Sequence, residues 1–202
     1  MADYPLLCFL IDTTYPHVPA THAHHLQELN AILDQIQKNG LDGMPKVQMM
    51  IVSCGGAPPH HSYATRVWLQ TEVMDHIRKE LAALKFAGGG FGSCLWDGVA
   101  QCIALLKSSL SSRKYLCIVP SSIPESNTVR FFKGALRQNS DALALALVQQ
   151  GVRVSVLTCV PIPELEDLYS RCLREKDKQI CSMDPSQGKC LAHCLRQHIT
   201  CP

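Results

Sequence analysis

Apolar and polar positions alternate along this chain with two different periods. Residues 6–11 (Leu-Leu-Cys-Phe-Leu-Ile) form a short unbroken apolar run that Asp12 ends, the pattern of a strand buried on both faces. Leu26, Leu29, Ile32, Leu33 and Ile36 then recur at helical spacing. They predict a helix over 21–38 that stops at Asn39-Gly40. A second strand is expected at 47–53, a loop over 55–61 from its glycines and prolines, and a short edge strand at 64–69. Val73, Ile77 and Leu81 place a helix over 71–83, and a glycine-rich turn at 88–93 leads into another over 94–109. A strand at 114–119 ends at Pro120 and gives way to a polar loop from Ser121 to Thr128. A helix over 139–150 stops at Gly151, Val152 to Leu157 read as the last strand, and 161–176 returns to helix with Pro161 or Pro163 in its first turn.

Five strand patterns interleaved with helices predict an α/β domain, an open and mostly parallel sheet with helices on both faces. A length of 202 residues fits one such domain with one core. The rhythm breaks near the end. The chain therefore divides into an α/β domain over 1–178 and a Cys/His-rich tail over 179–202.

Composition narrows the function classes. Apolar residues make up 47% and charged residues 18%, which fits a globular protein and argues against disorder. The net charge is +2 and no Lys/Arg run exceeds two residues, so nothing calls for direct contact with nucleic acid. The most apolar N-terminal run, Leu6 to Ile11, falls far short of the ~20 residues that span a bilayer, and it has no basic leader. The expected destination is the cytosol or nucleus. There the eleven cysteines are expected to be thiols, with Cys8, Cys117 and Cys159 as small core residues.

Candidate chemistry concentrates in four places. The glycines of 88–92 suggest a phosphate loop, but Ser93-Cys94 follows where a nucleotide-triphosphate loop needs Lys-Ser/Thr. A tight structural turn is the expected reading. Asp12, with Thr13 and Thr14 behind it, stands at a strand's carboxyl end, where open α/β sheets gather ligands. Such a set suits a hard cation, or a carboxylate that caps local N–H groups. Cys54 beside Gly55-Gly56 imitates a nucleophile turn, while His22, His24, His25, His60 and His61 cluster elsewhere without a Gly-x-Ser-x-Gly elbow. Cys181, Cys190, His193, Cys194, His198 and Cys201 offer zinc ligands, but Cys190 and Cys194 lie four apart and the tail has no Cys-x-x-Cys pair. No catalytic, cofactor or metal residue is assigned.

Three segments carry a family resemblance. Leu84-Lys85-Phe86-Ala87-Gly88-Gly89-Gly90-Phe91-Gly92-Ser93-Cys94 before a helix resembles the von Willebrand A-like domain of Mediator complex subunit 25. Val47 to Val52 resembles its second strand, and Gln150 to Val156 followed by Pro161-Ile162-Pro163-Glu164-Leu165 resembles its last strand and helix entry. The likeness spans about residues 5–175. It implies the von Willebrand A, Rossmann-like fold. Many such domains hold a metal-ion-dependent adhesion site built from Asp-x-Ser-x-Ser, a Thr from a second loop and an Asp after the fourth strand. Asp12 and Thr14 match the first two of these positions, Pro16 replaces the last serine, Ser93 stands near the Thr position, and Pro120-Ser121-Ser122 supplies no Asp.

The resemblance therefore implies a non-enzymatic, nuclear, protein-binding module of a transcription coactivator. It would dock onto the Mediator complex, with protein subunits as partners, without a cofactor and through metal-independent surfaces. The loops 54–63 and 120–130 are candidate contacts. Two alternatives stay open: a von Willebrand-type subunit of the transcription and repair factor TFIIH with a zinc-binding tail, and a metal- or nucleotide-binding α/β enzyme.

Overall fold

A computed structural model describes residues 3–14, 19–56, 64–86, 93–122, 124, 139–157 and 162–172. In chain order the elements are β1 (Leu6–Asp12), α1 (Pro19–Asn39), β2 (Gln48–Cys54), β3 (Thr65–Thr71) and α2 (Met74–Ala83), then α3 (Leu95–Ser108), β4 (Lys114–Val119), α4 (Ser140–Gln149), β5 (Val152–Val156) and α5 (Pro163–Cys172). The five strands form one sheet in the order β3-β2-β1-β4-β5. β1 runs parallel to both neighbours, with Leu6 opposite Gln48 and Lys114, and β5 runs parallel to β4.

The two-residue period of a strand covered on both faces explains why β1 is apolar from Leu6 to Ile11. Leu6, Cys8 and Leu10 point to one face, where Met50, Val52, Leu116, Ile118, Val154 and Val156 join them beneath α3, α4 and α5. Leu7, Phe9 and Ile11 point to the other, with Met49, Ile51, Cys117 and Val119 beneath α1 and α2. The helical stripe Leu29, Ile32, Leu33 and Ile36 is the part of α1 that meets this second face. Helices thus cover both faces of a mostly parallel sheet. Cys8 and Cys117 are core residues, as expected; Cys159 lies outside the described residues.

β3 departs furthest from the sequence reading. The edge strand runs on to Thr71, paired with Met49, so α2 begins at Met74 instead of residue 71. Thr71 Oγ1 accepts from the Val73 N–H and turns the chain into the helix. β3 also carries an extra residue. Val52 faces Val67 and Ile51 faces Leu69, leaving Trp68 unmatched. This bulge lets both Trp68 and Leu69 pack on the α1/α2 side of the sheet.

Glycines shape two close approaches. Gly40 ends α1 at φ +73°, donating to the Ile36 carbonyl at 2.8 Å, and a side chain there would strike the Met44 carbonyl oxygen at 2.2 Å. Gly98 lets α3 lie close on the sheet, since a Cβ there would sit 2.7 Å from Leu10 Cδ1 and 3.0 Å from Cys54 Cβ. Among the described residues no helix is long and apolar enough to cross a membrane.

Candidate functional site

β1 is flanked by β2 and β4, which the chain enters in opposite directions from it, so the crevice at its carboxyl end is the sheet's switch point. Asp12 is the last residue of β1 and is wholly buried there. Its carboxylate is ringed by donors. Oδ1 accepts from the Thr14 N–H at 2.9 Å and from the Thr14 hydroxyl at 2.6 Å. Oδ2 accepts from the N–H groups of Ser121 and Ser122, each at 3.0 Å, and from the Ser122 hydroxyl at 3.2 Å. Thr14 and Ser122 also share a hydroxyl contact at 2.7 Å, and Ser121 Oγ donates to the Asp12 carbonyl at 2.7 Å. The loop after β4 is thereby stitched to the end of β1.

Burial pushes the Asp12 carboxyl above the ordinary carboxylate range, against the hydrogen bonds from Thr14, Ser121 and Ser122, which pull it down. The ring of donors shows what the carboxylate does: it accepts main-chain N–H groups in a closed turn. A cation on Oδ2 would have to displace two N–H groups whose hydrogens carry positive partial charge. Among the described residues, the side-chain oxygens gathered around this carboxylate are the hydroxyls of Thr14 and Ser122.

Ser93 comes from the turn before α3. It does not join the Asp12 ring: its hydroxyl lies 3.9 Å from Cys54 Sγ. Its backbone bridges Gly56 on one side and Pro124 on the other, and the Cys94 N–H donates to the Gly55 carbonyl at 2.8 Å. The segments after β2, before α3 and after β4 therefore meet at one rim. The structure brings Asp12 and Thr14 together and keeps Ser93 one step away. It adds Ser121 and Ser122, which the sequence reading noted only as supplying no Asp. Their N–H donors are main-chain groups that residue identity does not reveal, and the only readable signal was a pair of serines just after a strand-ending proline.

Cys54 is wholly buried. Burial pushes its thiol well up, and the nearby Asp12 charge adds to the rise. His25 is buried on α1, while the side chains of His22, His24, His60 and His61 lie outside the described residues. So do the glycines of 88–92 and the tail's Cys181, Cys190, His193, Cys194, His198 and Cys201. Among the described residues no group of three or more His, Cys, Asp or Glu side chains is placed to hold a metal. Most of the expected contact loops 54–63 and 120–130 also falls outside them.

Residues 25–193 match the family of the Mediator complex subunit 25 von Willebrand factor type A domain. No curated protein matches the chain. Solved structures share the fold at low identity. The SpRpn10 VWA domain is 11% identical with a TM-score of 0.59, over 85% of this chain and 84% of that one. The pilus adhesin SpaC from Lactobacillus rhamnosus GG in its open conformation is 12% identical with a TM-score of 0.60, over 97% of this chain and 30% of its own. The manganese-loaded Plasmodium vivax TRAP protein is 13% identical with a TM-score of 0.60, over 98% of this chain and 74% of its own.

Proposed function

Because the chain belongs to the von Willebrand factor type A family of Mediator complex subunit 25, we propose that it is a non-enzymatic docking module that seats a coactivator subunit on its neighbours in the Mediator complex. Membership carries the Mediator role and implies transcription regulation in the nucleus. The finer reading is that recognition runs through protein surfaces without a metal ion.

One observation supports it above the rest. The Asp12 carboxylate, the residue best placed for cation or acid–base chemistry, takes five hydrogen bonds from Thr14, Ser121 and Ser122. A carboxylate so engaged holds loops in place and has little capacity left for a ligand. The docking role is assigned to residues 1–178, with 179–202 as a separate tail.

Affinity capture from nuclear extract tests the reading. The expected result is recovery of other Mediator subunits, unchanged when Mg²⁺ is replaced by EDTA. Capture without Mediator subunits would overturn the docking role, and loss of capture in EDTA would overturn its independence of metal.

A further inference from the structure

Cys8 and Cys102 lie with their sulfur atoms 3.5 Å apart, one on the central strand β1 and the other on α3, 94 positions further along the chain. Both are wholly buried. The contact depends on the close seating of α3, which Gly98 permits one turn earlier on the same helix. A disulfide holds its sulfurs at about 2.05 Å, so closing the pair asks for a relative movement of about 1.5 Å from the present 3.5 Å. Neither the docking reading nor the Asp12 crevice uses these thiols.

We infer that Cys8 and Cys102 form a redox-sensitive lock, a latent disulfide that ties α3 to β1 in the presence of a low-molecular-weight disulfide such as glutathione disulfide. When α3 lifts from the sheet, one of the two cysteines loses its proton to solvent. Its thiolate attacks a glutathione sulfur; the glutathione S–S bond breaks, and one glutathione leaves as thiolate and takes up a proton. While α3 is still lifted, the partner cysteine also loses its proton to solvent and its thiolate attacks the protein sulfur of the mixed disulfide; the second glutathione leaves as thiolate and takes up a proton, and α3 reseats on the finished bond. The protein loses two electrons and two protons, and glutathione disulfide is reduced to two thiols.

Burial sets the conditions. The oxidant reaches the sulfurs only through local opening, so the rate of locking follows the rate at which α3 leaves the sheet. In a reducing compartment the pair stays as thiols. Once formed, the bond fixes the helix that follows Ser93 and Cys94, and with it the rim where the segments after β2 and β4 meet.

The test incubates the full chain with excess glutathione disulfide across a series of sub-denaturing urea concentrations, blocks remaining thiols by alkylation in acid, and maps the peptides by mass. The expected product is a cross-linked peptide joining Cys8 to Cys102. Its yield rises with urea, and dithiothreitol returns it to two thiols. The link is absent from both Cys102→Ala and Cys102→Val, and the wild-type map stands whether or not either variant folds. If both cysteines emerge alkylated or only as glutathione adducts after the other thiols have reacted, or if each links to a different cysteine, the inference is overturned.

Discussion

Replacing Asp12 gives the sharpest check on the crevice. Asp12→Ala removes the acceptor of three main-chain N–H groups, those of Thr14, Ser121 and Ser122. Each buried donor left without a partner costs roughly 1–3 kcal/mol. The two hydroxyls lose less, because Thr14 and Ser122 already touch at 2.7 Å and can bond each other. Removing a buried carboxylate recovers part of its desolvation penalty, and water entering the space would satisfy a donor. The net expectation is a loss of about 3–5 kcal/mol. For a chain of this size, that corresponds to a fall of roughly 6–20 °C in Tm. Urea titration followed by circular dichroism reads it as a lower midpoint at unchanged slope. Asp12→Asn keeps the shape, but either orientation of the amide turns its NH₂ toward donor hydrogens, so about 2–3 kcal/mol is expected. If Asp12→Ala stays within about 1 kcal/mol of wild type, the ring of donors is not what holds the two loops. If Mg²⁺ or Mn²⁺ raises the wild-type Tm and the variant loses that response, the carboxylate serves a cation and the metal-independent reading fails.

Asp12 titrates above its ordinary value of 3.8 because of burial. The native state therefore holds this proton more tightly than the unfolded chain, and its contribution to stability grows as pH falls through the raised value toward 3.8 and is lost as pH rises. The stability of wild type minus that of Asp12→Asn should increase over that window, and a decrease would reverse the sign of the shift. Gly40→Ala combines a left-handed φ of +73° with a 2.2 Å approach to a backbone oxygen. Gly151→Ala has φ +67° and open space. The second should cost about 1–2 kcal/mol and the first clearly more, as read from paired urea midpoints. Gly98→Ala gains about 1 kcal/mol of helix propensity but presses on Leu10 and Cys54. Overpacking of ~1–3 kcal/mol should leave it net destabilised, and a stabilised variant would show that α3 can lift without penalty. Tyr115→Phe removes a hydroxyl that accepts from Arg153 at 2.8 Å and contacts Asp42. A loss of about 1–1.5 kcal/mol is expected, with unchanged capture of Mediator subunits if the candidate contact loops 54–63 and 120–130, which leave the other end of the sheet, carry the docking.

The fold was largely legible, and the site only in outline. β1 and β4 declare themselves because a strand covered on both faces is apolar along nearly all its length, and β4 falls on the same residues in sequence and structure. β3 was misjudged in length because its pattern is interrupted. The bulge at Trp68 breaks the alternation from which strands are read, and exposed Val67 hides the pairing. At the crevice, Asp12 could be picked out by its place after a strand, but its role could not. A carboxylate facing a cation and one facing N–H groups look alike in sequence; the difference lies in the path of the backbone through Pro120, Ser121 and Ser122, which brings two amide groups onto one oxygen. The Cys8–Cys102 contact was equally hidden, since residues 94 positions apart meet only through the packing of α3.

The unmatched Trp68 has a meaning beyond the packing of its ring. β3 is one border of the sheet, and a border normally invites further strands from other molecules. Here the two-residue repeat is interrupted midway, and the charged Arg66 stacks over Trp68 with its guanidinium 3.9 Å from the ring centre. A strand arriving from another copy would lose register after a few residues and meet a fixed positive charge beside the break. The border is thus built to resist growth into fibrils.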